Sequence, residues 1–144
     1  MLVSGEWFPC DDGVTRPVLR GEILGRDGVW IPDLFLIDTG ADRTVLSADM
    51  LAALDLPQDV ARERLAGIGG AGDSVIIETR IRLPREHDGS VAFSGRFPAL
   101  TVPEALDYCV LGRDITALFA VIVDRPGGTV SLLAQRHGYV IRQS

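Results

Sequence analysis

The sequence is poor in the residues that staple small domains or hold metals. Among 144 residues it has two cysteines, Cys10 and Cys109, and two histidines. Two thiols are too few for a disulfide framework, and Cys/His zinc spacing is missing. No metal and no cofactor are therefore expected. Basic residues are also in the minority, 14 against 20 acidic ones, for a net charge of −6. That balance argues against nucleic acid and anionic lipid as partners, because both demand a basic face. No apolar run approaches the length of a membrane span, and MLVSGEWFPC lacks the basic-then-apolar pattern of a secretory signal. The expected setting is the cytoplasm, with both thiols reduced. Met1 at the start favours a freestanding chain over one cut from a precursor.

What is present suits one globular domain over residues 1–144: hydrophobic residues make up 47% of the chain, enough for a real core. Glycine and proline punctuate it at short intervals, as in β-rich folds. Strands are predicted over 14–25 and 29–38, joined by a tight turn at Asp27-Gly28. A short helix is predicted over 47–56, with Ser47 as N-cap and Pro57 as stop. Further strands are expected at 60–67, 73–84, 91–102 and 108–112, then a helical turn or two over 113–119. A hairpin at 120–134 turns on RPGG, and GYVIR (138–142) is a candidate last strand. The first dozen residues and the last few of the C-terminal tail (135–144) are expected to be loose. The sum is a mostly-β, barrel-like or sandwich-like domain with one or two short helices.

Three stretches carry possible chemistry. In FLIDTGADRTVLS (35–47), Asp38 closes an apolar run, and Gly40 permits a sharp turn after it. A carboxylate there must find donors as it loses water. Capping its own turn is the plain explanation for such an Asp. GIGGAG (67–72) fits G-x-G-x-x-G, but DSVIIETRIRL follows with strand alternation rather than a helix, so a dinucleotide site fails on context. What remains is a plain glycine-rich hairpin tip or a mobile flap whose amides face a ligand. CVLGRD (109–114) reads as a strand turning into a helix, with Arg113 either in water or paired with a carboxylate. Cys109 reads as a buried small hydrophobe, with a redox handle as the alternative.

Taken together, LIDTGADRTVL, then GIGG, then VLGRD resemble the retroviral-type aspartic proteases, the retropepsins, over roughly residues 14 to 134. The tail ALFAVIVDRPGGTVSLL is similar to the end of cellular and bacterial members. The resemblance implies a closed β-barrel resembling half of an acid protease, with a flap hairpin over about 60–84. Residues 1–12 have no counterpart in the short viral enzymes. The loop REHDGS (85–90) lengthens the interval to VLGRD, and Ala71 and Gly72 follow GIGG. Pockets and dimer strands are thus expected to differ more than chemistry does.

The implied activity is peptide-bond hydrolysis by a water held between two carboxylates that share one proton. The chain holds no second Asp-Thr-Gly or Asp-Ser-Gly, since Asp73-Ser74 is followed by Val75. The second carboxylate is therefore expected from another copy, in a C2 homodimer with each Asp38 on the axis. By resemblance, Asp38, Thr39 and Gly40 are the catalytic residues, with Thr39 reaching across to the partner's backbone. Leu36, Ala41, Asp42, Val45, Gly67, Ile68, Gly69, Gly70 and Val110 would contact a polypeptide substrate. For Leu36, Val45 and Val110, core packing is the competing assignment. Asp42 and Arg113 are expected to form an ion pair in which each offsets the other's burial, so losing one hurts more than losing both. The main competing function is a catalytically silent dimerisation or peptide-binding module on the same fold. Nucleotide binding at GIGGAG is a further alternative, and metal chemistry is more distant still.

Overall fold

The computed structural model describes residues 2–60, 65–67 and 70–134, with backbone alone at 65–67, 70–72 and 105. The strands, in chain order, are β1 (Leu2–Ser4), β2 (Glu6–Pro9), β3 (Thr15–Leu24), β4 (Trp30–Ile37), β5 (Asp59–Val60) and β6 (Leu65–Gly67). They continue with β7 (Gly70–Gly72), β8 (Ser74–Pro84), β9 (Ser90–Leu100), β10 (Cys109–Leu111), β11 (Ala120–Asp124) and β12 (Thr129–Leu133). Two short helices interrupt them, α1 (Ala48–Leu54) and α2 (Arg113–Thr116).

The larger sheet runs β10-β4-β3-β8-β5, with β2 also on β3 and β9 also on β8. A second sheet has the order β1-β12-β11. A third, two-stranded sheet pairs β6 with β7. None closes on itself among the described residues, so in place of the expected closed barrel the described strands form open sheets. The fold is mostly β, as its sequence periodicity predicts. In β8, Ile77, Thr79, Ile81 and Leu83 point inward while Glu78 and Arg80 point to solvent, the two-residue alternation of a half-buried strand. Ile77, Ile81 and Leu83 meet Leu19, Ile23, Phe35, Leu46, Leu54, Phe97 and Leu111 in one apolar core.

Local signals place most elements well. The turn between β3 and β4 holds Asp27 at φ 60° and Gly28 at φ 74°, the left-handed pair such a tight turn demands. Ser47 caps α1 by accepting the Met50 amide at 3.2 Å, and Asp55 ends it in the left-handed region. The N-terminal residues differ from expectation. Leu2–Ser4 pair with Leu133–Ser131, and Glu6–Pro9 pair with Val18–Thr15. They are ordered because strands β3 and β12 offer open edges, and Val3 is fully buried between the sheets.

Within the stretch predicted as a strand at 60–67, Val60 pairs with Val75 as Asp59 does with Ile76, and Leu65–Gly67 pair with Gly72–Gly70; residues 61–64 lie outside the described residues. Ile68, Gly69 and the predicted strand 138–142 lie outside the described residues. No helix among the described residues is long and apolar enough to cross a membrane.

Candidate active site

Asp38 follows directly on β4, and what holds it comes from the neighbouring strand. β10 pairs parallel with β4, placing Cys109, Val110 and Leu111 beside Phe35, Leu36 and Ile37. The Asp38 amide continues the ladder by donating to the Leu111 carbonyl at 3.1 Å. The half-buried carboxylate then accepts the Gly40 amide on Oδ1 at 2.9 Å, and the Ala41 amide donates to the Asp38 carbonyl at 3.2 Å. Asp38 thus does cap its own turn. A capping role and a reactive one are compatible, since one oxygen is oriented by the turn while the group stays half open.

The loop after Asp38 is locked onto the start of α2. The Arg113 amide donates to the Ala41 carbonyl at 2.8 Å, and the Asp114 amide to the Asp42 carbonyl at 3.2 Å. The Arg113 guanidinium donates to the Thr39 carbonyl at 3.0 Å and to the Asp42 carboxylate. A Cβ on Gly112 would stand 2.3 Å from the Arg43 carbonyl carbon. Only glycine lets the two segments cross so closely.

The ion pair of Asp42 and Arg113 therefore forms, but its expected burial does not hold. The side chains are 81% and 49% exposed, so solvent screens the attraction and neither charge carries a large desolvation cost. Thr39 and Gly40 are likewise exposed at the loop crest.

Leu36, Val110 and Val45 lie side by side, because Val110 pairs with Leu36 on one edge and bridges to Val45 on the other. All three are half-buried, whereas their neighbours Phe35, Leu46, Cys109 and Leu111 fill the core. This apolar row lies on the strands that carry the Asp38 loop and is not part of the core proper. Gly67 and Gly70 face each other across the β6–β7 ladder.

Two groupings escaped sequence reasoning. Asp114 accepts both the amide and the hydroxyl of Thr44, and the Thr44 hydroxyl accepts the Gly112 amide. The Cys109 thiol donates to Asp33 Oδ2 at 3.1 Å and accepts the Ser47 amide at 3.5 Å. Burial first, and the Asp33 carboxylate second, push that thiol well above its ordinary range. It is a buried, inert sulfur. The described residues contain no group of three or more His, Cys, Asp or Glu side chains that could hold a metal.

The family model for retroviral aspartyl proteases matches residues 14–123. The chain belongs to that family. The match runs from the residue before β3 nearly to the end of β11, and takes in Asp38, the glycine hairpin and Arg113. Two solved structures resemble this retroviral-type chain. EIAV protease complexed with the inhibitor HBY-793 is 24% identical, over 71% of this chain and 86% of its own, with a TM-score of 0.50. A retropepsin-like aspartic protease from Rickettsia conorii is 15% identical, over 92% of this chain and 88% of its own, with a TM-score of 0.58. At these identities the likeness bears on the fold. Comparison with curated proteins finds no match.

Proposed function

We propose that this family member is a single-domain aspartic endopeptidase that works as a C2 homodimer, with Asp38 of each copy meeting at the axis. One observation carries the reading. Asp38 sits at the end of β4 with its backbone fixed by Leu111 and one carboxylate oxygen fixed by Gly40, in a loop braced by Arg113. That is a carboxylate held in place and left accessible, as a shared-proton pair requires.

In this scheme one Asp38 is ionised and polarises the attacking water. The other, protonated, donates to the carbonyl oxygen of the scissile peptide. Thr39, exposed on the loop, reaches the partner's loop, and Gly40 lets the peptide approach. Ala41 and Asp42 meet the substrate backbone. Leu36, Val45 and Val110 favour apolar side chains beside the cut. Gly67, Ile68, Gly69 and Gly70 form a flap that closes over the peptide and excludes water. Two unpaired cysteines fit a reducing compartment, hence the cytoplasm.

The test is cleavage of a diverse peptide library by the wild type and by Asp38→Asn, with the oligomeric state of each measured by sedimentation. Cleavage by the wild type that is best below neutral pH, and lost in a still-dimeric Asp38→Asn, is the expected result. A wild-type dimer that cleaves nothing would instead favour a silent dimerisation or peptide-binding module. A protein that stays monomeric at high concentration would remove the second carboxylate.

A further inference from the structure

The larger sheet carries a second apolar surface on the face turned away from the core. Leu36 pairs with Val110 on one side and with Val18 on the other, and Val18 pairs in turn with Glu6. These four residues therefore share one face. Val18 is fully buried, yet it is not a member of the core that Leu19 and Ile23 join from the opposite face. Something on its own face must shield it.

Two aromatic rings stand on that face. Trp7 packs against the core, so Phe8, next to it on β2, faces the other way, and Arg20 Cζ lies 5.9 Å from its ring centre. The rings of Phe8 and Tyr108 meet edge to face, with centres 6.4 Å apart and planes at 74°. Tyr108 immediately precedes β10, and the strands β4 and β3 separate β10 from β2. Contact between the rings thus requires the sheet to curl, which brings the pair onto the face that Leu36 and Val18 present. The Tyr108 hydroxyl is raised above its ordinary value, by burial first and by the nearby Asp11 charge second, as expected where it lies against the turn between β2 and β3. Both rings are half-buried, so part of each stays open beside the row of Leu36 and Val110.

Two arginines flank the pair, and each already has a carboxylate. Arg16, paired with Phe8 across the strands, donates from Nη1 to Asp12 Oδ1 at 2.9 Å and from Nη2 to Asp12 Oδ2 at 2.6 Å. Asp12 is itself held in place by accepting the Val14 amide at 3.0 Å. Arg20 lies 2.7 Å from Glu6. The surface around the rings is therefore apolar with its cations neutralised, which suits an uncharged side chain and not an acidic one.

We infer that Phe8 and Tyr108 form a specificity subsite for an aromatic or large aliphatic side chain of a bound peptide, with Asp12 keeping Arg16 neutralised beside it. Its place in the reaction rests on the proposed peptide hydrolysis, which puts Leu36, Val45 and Val110 beside the cut. The aromatic pair continues that row, so it meets a side chain further along the peptide. Phe8 comes from the N-terminal segment without counterpart in the short viral enzymes, which makes the subsite particular to this chain. An aromatic contact of this kind changes binding by about two- to tenfold.

The probe is a peptide library in which each position in turn carries Phe, Leu, Asp or Ala. Cleavage by wild type, Phe8→Ala, Tyr108→Ala, the conservative Tyr108→Phe and Asp12→Asn is read as kcat/KM at each position. Binding of the same peptides is read by fluorescence anisotropy on Asp38→Asn, alone and combined with each of these changes. Wild type should favour Phe or Leu over Ala at a position that does not flank the cut. Phe8→Ala and Tyr108→Ala should each lower that preference by about two- to tenfold and leave the preferences beside the cut unchanged, while Tyr108→Phe keeps it. Where an alanine variant does not fold, Phe8→Leu or Tyr108→Leu takes its place, with a smaller fall expected at the same position. Asp12→Asn frees Arg16 and should admit Asp there; continued exclusion of Asp would overturn the part given to Asp12. A preference absent from both readouts, or unchanged in both ring variants, would overturn the subsite. So would an equal fall at every position, the mark of a merely structural role. If the wild type cleaves nothing, the endopeptidase reading fails, and the binding preference alone decides whether the subsite exists.

Discussion

Asp114 accepts two hydrogen bonds from one residue, the Thr44 amide at 2.9 Å and the Thr44 hydroxyl at 2.7 Å, both on Oδ1. The hydroxyl in turn accepts the Gly112 amide at 3.1 Å. Thr44 is fully buried, so its hydroxyl is the partner that a buried backbone donor needs at the crossing of the two loops.

Thr44→Val keeps the shape and removes that partner. The Gly112 amide is then left unsatisfied, at a cost of about 1–3 kcal/mol. Thr44→Ser should retain most of the stability. Urea unfolding of the three proteins checks this, and equal midpoints for wild type and Thr44→Val would refute it.

Gly112 itself should be intolerant of any side chain, although its φ of −91° is open to every residue. The obstacle is contact, since a Cβ there meets the Arg43 carbonyl carbon at 2.3 Å and the Thr44 nitrogen at 2.8 Å. Backbone cannot swing aside as a side-chain tip can. Gly112→Ala should cost at least about 2 kcal/mol and displace the Asp38 loop, seen as a lowered Tm together with loss of cleavage.

How much of this was legible in the sequence depends on the range of the interaction. Asp27-Gly28, Ser47 and the alternation of β8 act within a few residues, and each was readable. The three motifs could be seen as a set, because together they resemble the retropepsins although no one of them does so alone. The pairing of Thr44 with Asp114 could not, since it depends on how β10 docks against β4. Likewise, the order of Leu2–Pro9 depends on the free edges of β3 and β12. The exposure of Asp42 and Arg113 was misjudged for a related reason. An apolar stretch such as CVLG says that the strand is buried, not that the residue after it is.

That exposure changes what Asp42 should do when mutated. Asp42→Asn is expected to shift stability by no more than about 1 kcal/mol, as exposed pairs do, rather than leave a stranded buried charge. Arg113→Ala should cost more than Asp42→Asn, because it also removes the bond to the Thr39 carbonyl. A double-mutant cycle by urea unfolding would give a small coupling energy. A coupling above about 3 kcal/mol, the scale of a broken buried pair, would show that the pair is desolvated in the functional assembly.

Cys109 yields a prediction with a definite sign in pH. Its thiol is fully buried between Asp33 and Ser47, and its folded pKa is raised from an ordinary value of 9.0. The neutral form is thus favoured by folding. The stability it contributes is fully present below pH 9 and declines above it, as the unfolded chain ionises first, until the folded pKa is reached. Between pH 8 and 10.5 the wild type should lose stability more steeply than Cys109→Ala, once each curve is referred to its own value at pH 8. The folded wild type should also resist a thiol reagent at this position at pH 8, while denaturant exposes it. Fast labelling of Cys109 in the native protein, located by mass spectrometry, would show that the sulfur is reachable and would restore the redox handle as a live reading.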